Sequence, residues 1–122
     1  MGRRSRKRNE GQLPAGKLEA PTTVYSEAEA GELELRGSLT LKARADYADT
    51  LAGGLEQEDA WQRATELLFE RLVASWTIHG LRIDRQKELL GRYRMASVDE
   101  RRFVRESLRV HLKENFPDME AP

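Results

Sequence analysis

The change of character near residue 55 constrains the fold of this chain more than any other feature. The preceding part is basic at its start, polar, and interrupted by proline and glycine, whereas residues 56–115 carry apolar side chains at helical spacing. Apolar residues that recur every three or four positions form one face of a helix, and that face must be buried against another element. The sequence therefore predicts a mostly α protein, a compact bundle of three to four helices.

Start and stop signals give the helix boundaries, which are expected at about residues 41–52, 56–79, 85–95 and 98–115. Thr40 and Asp84 are suitable caps for the first and third helices. The fourth begins with a capping box formed by Ser97 and Glu100. The second helix is the longest, and Gly80 supplies its stop. Its apolar stripe comprises Trp61, Ala64, Leu68, Leu72 and Trp76, so both tryptophans are expected in the core.

The segment before the first helix has a different pattern. In residues 22–36, Val24 and Tyr25 favour a strand, and Leu33 and Leu35 alternate with charged residues. This alternation predicts a short N-terminal β-hairpin. Residues 1–20 carry charge, glycine and proline with almost nothing to bury, which predicts a disordered basic arm. Residues 21–122 are then expected to form a single helical domain.

The net charge of zero hides an uneven distribution. Five cations lie in the arm, namely Arg3, Arg4, Arg6, Lys7 and Arg8, and the other 16 basic residues face 21 acidic ones. Such an arm can attract phosphates in a salt-dependent, sequence-independent way. Arg101 and Arg105, with Arg102 and Arg109, share one face of the fourth helix. That face is either a solvated surface balanced by nearby carboxylates or a second nucleic-acid contact.

The residues that catalysis and metal binding require do not occur in recognisable patterns. Cysteine is absent, which excludes disulfides and thiolate metal sites, and His79 and His111 stand in no metal-binding motif. Phosphate-binding glycine loops and nucleophile elbows are missing too. We therefore expect no enzyme, no cofactor and no metal. No apolar run is long enough to cross a membrane, and the basic start is not followed by an apolar segment, so a cytoplasmic location is expected.

Four large apolar residues lie off the main helical stripe or in the connection after the second helix: Phe69, Ile78, Leu81 and Ile83. They either thicken the core or form a protein-interface patch, in particular over the stretch from Ile78 to Ile83. The sequence leaves both interpretations open.

Three stretches together resemble a known group of proteins: LELRGSLTLKARADYADTLAGG, AWQRATELLFERLVASWTIHG and DRQKELLGRYRMASVDERRFV. Their order resembles that of small proteins encoded near the tail genes of tailed bacteriophages, particularly tail assembly chaperones. The matching positions are Leu39-Thr40 with Arg44, and Leu72-Val73 with Trp76, over roughly residues 33–105. The resemblance implies non-enzymatic binding to other phage structural or tail proteins, with oligomerisation, in the bacterial host cytoplasm during assembly or in the virion.

The sequence thus favours a protein-binding module, a phage or prophage tail assembly chaperone or small virion accessory protein. The alternative is a small nucleic-acid-associated protein that binds phosphates through its Arg-rich arm, assisted by Arg101 and Arg105.

Overall fold

The computed structural model describes residues 21–53 and 57–122. In chain order the elements are β1 (Thr22–Glu27), β2 (Gly31–Arg36), α1 (Leu41–Leu51), α2 (Gln57–Leu72), β3 (Val73–Ile78), β4 (Leu81–Ile83), α3 (Gln86–Arg94) and α4 (Val98–Asn115). The strands form one antiparallel sheet in the order β1-β2-β3-β4. The prediction of a helical bundle with a lone hairpin is therefore wrong. The predicted disordered arm, residues 1–20, lies outside the described residues.

The second predicted helix is divided between a helix and a strand. Helix α2 ends at Leu72, and β3 follows without an intervening residue. The VASWTI segment is rich in the β-branched and aromatic side chains that suit a sheet, and β3 pairs with β2 on one side and β4 on the other. The spacing that placed Trp76 on a helical stripe was coincidental. In the sheet Trp76 lies opposite Leu33, is fully buried, and donates its indole N–H to the carbonyl of Ala30 at 2.8 Å.

The glycine expected to stop that helix belongs to a hairpin turn. His79 and Gly80 connect β3 to β4 with φ angles of 52° and 80°. Two consecutive residues with positive φ are typical of the two-residue turn that matches the twist of an antiparallel pair. This turn replaces the expected helix C-terminus, and His79 does not lie at a helix end.

The locally encoded features agree with the prediction. The hairpin of β1 and β2 falls within residues 22–36, and α1 is capped by the Thr40 side chain, which accepts from the backbone N–H of Ala43. Helix α4 covers the predicted range and has both hydrogen bonds of its capping box. For α3, however, the cap position is occupied by Arg85 rather than Asp84, and Asp84 instead accepts from Arg82.

The core lies between one face of the sheet and the helices. Leu33 and Leu35 of β2 are fully buried and alternate with Glu32 and Glu34, which point to the other, polar face. The helices contribute most of the remaining core, including Ala64, Leu68, Phe69, Leu72, Phe103, Val104, Leu108 and Leu112. Within the described ranges, no helix is both long and apolar enough to span a bilayer.

The two tryptophans are expected to differ sharply in their contribution to stability. Trp76→Ala removes a fully buried ring and leaves the Ala30 carbonyl without its donor, so it should lower the free energy of unfolding by about 3–5 kcal/mol. Trp61 is 48% exposed, so Trp61→Ala should cost less than about 1 kcal/mol. Urea unfolding followed by circular dichroism measures both, and equal losses would contradict the assignment of Trp76 to the centre of the core.

Gly31 is the position where the β1–β2 hairpin requires a glycine. Its φ is 93°, and a Cβ built there would lie 2.0 Å from the backbone oxygen of Thr77. Gly31→Ala should therefore lower the free energy of unfolding by more than about 2 kcal/mol, through strain and displacement of β3. Gly91 lies in α3 with open space around its Cβ position, so Gly91→Ala is the matched control and should raise stability by about 0.5–1 kcal/mol.

Candidate binding cleft between α2, α3 and α4

A cleft of about 600 Å³ opens where the first half of α2 faces the end of α3 and the start of α4. Its lining combines aromatic and charged side chains: Glu58, Trp61, Gln62, Glu66, Tyr93, Arg94, Arg101 and Arg105. This mixture is suited to binding, because the rings offer apolar area and the charged groups fix the orientation of a ligand.

Helical spacing brings these residues to one place. On α2, Gln62 lies four positions from both Glu58 and Glu66, and Trp61 lies three positions after Glu58, so these residues share one side of that helix. Arg101 and Arg105 are one turn apart on α4. The turn between α3 and α4 is fixed by the Ser97–Glu100 capping box and by Arg101, whose guanidinium donates to the carbonyl oxygen of Arg94. The α4 wall is thereby held against the end of α3.

The floor of the cleft is continuous with the core. Tyr93 stacks on Phe69, with ring centroids 4.9 Å apart, and Phe69 meets Trp76 edge-on at 6.1 Å. Burial raises the pKa of the Tyr93 hydroxyl, while the guanidinium groups of Arg105 and Arg101 act in the opposite direction. At the opposite side of the floor the Trp61 ring remains half-exposed.

The charges in the cleft are only partly compensated. Arg94 binds Glu66 through two hydrogen bonds of 2.8 and 3.3 Å. Arg101 lies 6.0 Å above the Tyr93 ring, and its buried Nε has no hydrogen-bond partner among the described residues. Within that same part of the chain neither Arg101 nor Arg105 forms an ion pair. The α4 wall therefore presents two guanidinium groups that form no ion pair with a carboxylate of the described residues.

The cationic residues predicted on α4 separate into two groups. Arg101 and Arg105 line the cleft. Arg102 instead pairs with Asp99 at 2.8 Å, and Arg109 contacts the carbonyl of Pro122 at 3.5 Å. The cations of the predicted arm, Arg3, Arg4, Arg6, Lys7 and Arg8, lie outside the described residues.

The four predicted interface residues do not form one surface. Phe69 and Ile78 are buried in the core, so they are not accessible to a partner. Leu81 is 67% exposed on β4, and Ile83 is partly buried against the core. That Leu81 and Ile83 contact a partner stays a prediction.

Trp61 is a cleft residue that the sequence pattern assigned to the core. One series of buried residues in α2 has an interval of four positions: Ala60, Ala64, Leu68 and Leu72. Trp61 is one position away from this series and close to the start of the helix, where the core ends. Thr65 and Phe69 are displaced from this series by the same one position and are buried, so the spacing alone contains no signal for the exposure of Trp61.

His111 was considered as a second functional residue, but its hydrogen bonds show that the side chain has a structural role. The ring is fully buried, its Nε2–H donates to the carbonyl of Arg36 at 2.7 Å, and Nδ1 accepts from the Tyr25 hydroxyl at 3.0 Å. This tautomer is assigned from the hydrogen bonds. Both ring nitrogens are therefore used in joining α4 to the first hairpin. Among the described residues no three His, Asp or Glu side chains are grouped to hold a metal ion.

Glu34 anchors a cluster on the polar face of the sheet. Its carboxylate accepts from Thr22 of β1 at 2.8 Å and from Ser75 of β3 at 2.9 Å, and Arg82 of β4 lies 3.6 Å away. The hydrogen bonds from Thr22 and Ser75 hold the pKa of the Glu34 carboxyl below its usual value. One side chain thus braces all four strands.

The lowered pKa of Glu34 makes stability depend on pH. The folded-state pKa lies below that of the unfolded chain, about 4.3, so the stabilisation is present above that pH and is lost as pH falls through the folded-state pKa. Unfolding free energies measured in urea should therefore decline below about pH 5, and more gently in Glu34→Gln than in the wild type. Parallel curves for the two proteins would contradict the role given to this carboxylate.

Comparison of the chain with models of protein families, with curated proteins and with solved structures finds no match.

Proposed function

We propose that the protein is a non-enzymatic binding module that holds a segment of another protein in the cleft between α2, α3 and α4. The observation that carries this proposal is Trp61, which is 48% exposed beside the guanidinium groups of Arg101 and Arg105. Tryptophan and arginine are the residues most enriched where protein interfaces gain their binding energy. An indole ring covers a large area with few rotatable bonds, so little conformational entropy is lost when it is covered.

The construction of the cleft supports the same proposal. Its walls are helices and its floor is the Tyr93 ring, which is stacked on the core through Phe69. A site of this kind is largely formed before the ligand arrives, so binding energy is not spent on ordering a loop.

Exposed apolar side chains at the α3–α4 turn extend the candidate surface. Met95 is 83% exposed and Val98 is 78% exposed, and each is close in sequence to a cleft arginine. Under this proposal both side chains contact the partner and add apolar area to that of Trp61.

The finer proposal concerns the partner. The resemblance over residues 33–105 to small proteins encoded near phage tail genes supports a role as a tail assembly chaperone or small virion accessory protein. Under this proposal the partners are phage structural or tail proteins, or a second copy of the chain, met in the bacterial host cytoplasm.

Nucleic-acid binding is the weaker proposal for this surface. Arg101 and Arg105 could contact phosphates and Trp61 could stack on a base. However, Glu58 and Glu66 line the same cleft and would repel a phosphate backbone that passes through it. The cleft therefore fits a ligand with few charges better than a polyanion.

Substitution of Trp61 tests the proposal directly. Affinity-tagged wild type, Trp61→Ala and Leu41→Ala are purified from cells that produce the products of the neighbouring genes, and retained proteins are quantified by mass spectrometry. Leu41 is the matched control, because it is a large apolar side chain 85% exposed on α1 and outside the cleft lining. Trp61→Ala should reduce retention at least about tenfold, whereas Leu41→Ala should leave it unchanged.

If retention of these proteins by Trp61→Ala equals that by the wild type, the cleft is not the binding surface. Tail proteins among the retained partners would support the finer proposal, and their absence from the retained set would contradict it.

A further inference from the structure

We infer that the cleft recognises an acidic–apolar peptide segment, with a carboxylate held by Arg101 and Arg105 and an apolar side chain packed on Trp61. This inference rests on the proposed function and adds the chemistry of the partner. It is drawn from a second place in the molecule, where the chain binds an acidic–apolar segment of its own.

That second place is the surface of α1, which holds the residues after α4. Arg44 pairs with Asp118 at 3.1 Å and lies 5.2 Å above the Phe116 ring. Tyr47 donates its hydroxyl to the backbone oxygen of Glu120, and Met119 packs against the core. An arginine and a tyrosine on a helix thus hold a peptide in which apolar and acidic residues alternate.

The cleft presents the same kinds of side chain. Tyr93 lies beneath the guanidinium of Arg101, Arg105 is one turn further along α4, and Trp61 supplies the apolar surface that the core supplies at α1. Here, however, neither Arg101 nor Arg105 forms an ion pair with a carboxylate among the described residues. Arg101 already donates to the carbonyl oxygen of Arg94, whereas Arg105 is exposed. A guanidinium can donate two parallel hydrogen bonds to a carboxylate, so Arg105 is the group that matches an acidic side chain, and the charge of Arg101 adds to the attraction.

The charges on the other wall limit the ligand to a few carboxylates. Glu66 is neutralised by Arg94, whereas Glu58 forms no ion pair among the described residues. A single carboxylate against Arg101 and Arg105 stays on the cationic side of the cleft. A nucleic-acid strand carries a phosphate at every nucleotide and would also meet Glu58. Electrostatic complementarity therefore favours a peptide.

Intrinsic fluorescence can follow binding without a label. The chain has two tryptophans, and Trp76 is fully buried, so a change on adding ligand reports Trp61. The probe is a synthetic peptide with the sequence of residues 115–122, NFPDMEAP, which contains no tryptophan. The matched peptide NFPNMQAP replaces both carboxylates by amides, and a ten-nucleotide oligothymidylate represents nucleic acid. We expect saturable binding of the acidic peptide, at least about tenfold weaker binding of the amide peptide, and no response to the oligonucleotide.

Two charge-reversed variants of the full chain locate the site. Arg105→Glu should weaken binding of the acidic peptide at least about tenfold and abolish its preference over the amide peptide. Arg109→Glu is the matched control, because it makes the same charge change one turn along α4, outside the cleft lining. It should change the affinity less than about twofold.

The outcomes separate this inference from the function on which it rests. Equal binding of the two peptides overturns the carboxylate requirement and leaves a protein-binding cleft intact. Equal losses in Arg105→Glu and Arg109→Glu also overturn it, because they indicate long-range attraction only. Binding of the oligonucleotide alone overturns both proposals in favour of nucleic acid. If no probe binds, the inference is overturned, while co-purification with Trp61→Ala still decides the proposed function.

Discussion

The insertion of β3 between β2 and β4 is the constraint on which the rest of the structure depends. This strand follows α2 directly, so the sheet and the longest run of core helix are connected without a loop. Trp76 is its central contact, because the indole packs on Phe69 and bonds to the carbonyl of Ala30 in the first hairpin. A buried ring with a satisfied N–H fixes the register as well as the stability of the surrounding elements. Helices and strands therefore share one core.

Local signals explain which elements could be predicted from the sequence. The range of α4 and its capping box are encoded within a few residues, as is the alternation of Leu33 and Leu35 in the hairpin. The strand β3 was missed because its partners are distant in sequence, with Glu34 opposite Ser75 and Leu33 opposite Trp76. Because no stop signal lies between Leu72 and Val73, the predicted helix was continued into the residues that form the strand. Only the pairing of residues 73–78 with β2 and β4 makes this segment a strand and not a continuation of α2.

The candidate site also combines features that are encoded locally with features that depend on contacts between distant segments. The sequence placed Arg101 and Arg105 on a common face of α4, because the spacing of four residues is a local property. It assigned Trp61 to the core, since the helical stripe contains no information about where the neighbouring helices end. The position of Tyr93 between its stacking on Phe69 and the guanidinium of Arg101 likewise depends on how α3 and α4 meet α2. Residue types in a site follow from the sequence, and their convergence follows from packing.

The cleft arginines are not neutralised by an ion pair within the described residues, although Arg101 also fixes the α3–α4 turn through its hydrogen bond to the carbonyl oxygen of Arg94. Arg101 lies at the end of the first turn of α4, where a cation opposes the helix dipole, and like charges four residues apart, as in Arg101 and Arg105, repel by about 0.2–0.5 kcal/mol. Arg92 and Arg102 offset their own charges by pairing with Glu100 and Asp99, which Arg101 and Arg105 do not do within the described residues. A cation that has no ion pair within the fold is typical of a functional site. A carboxylate from a partner would pair with these guanidinium groups. The same two unpaired charges would then both destabilise α4 in the free protein and attract the ligand to the cleft.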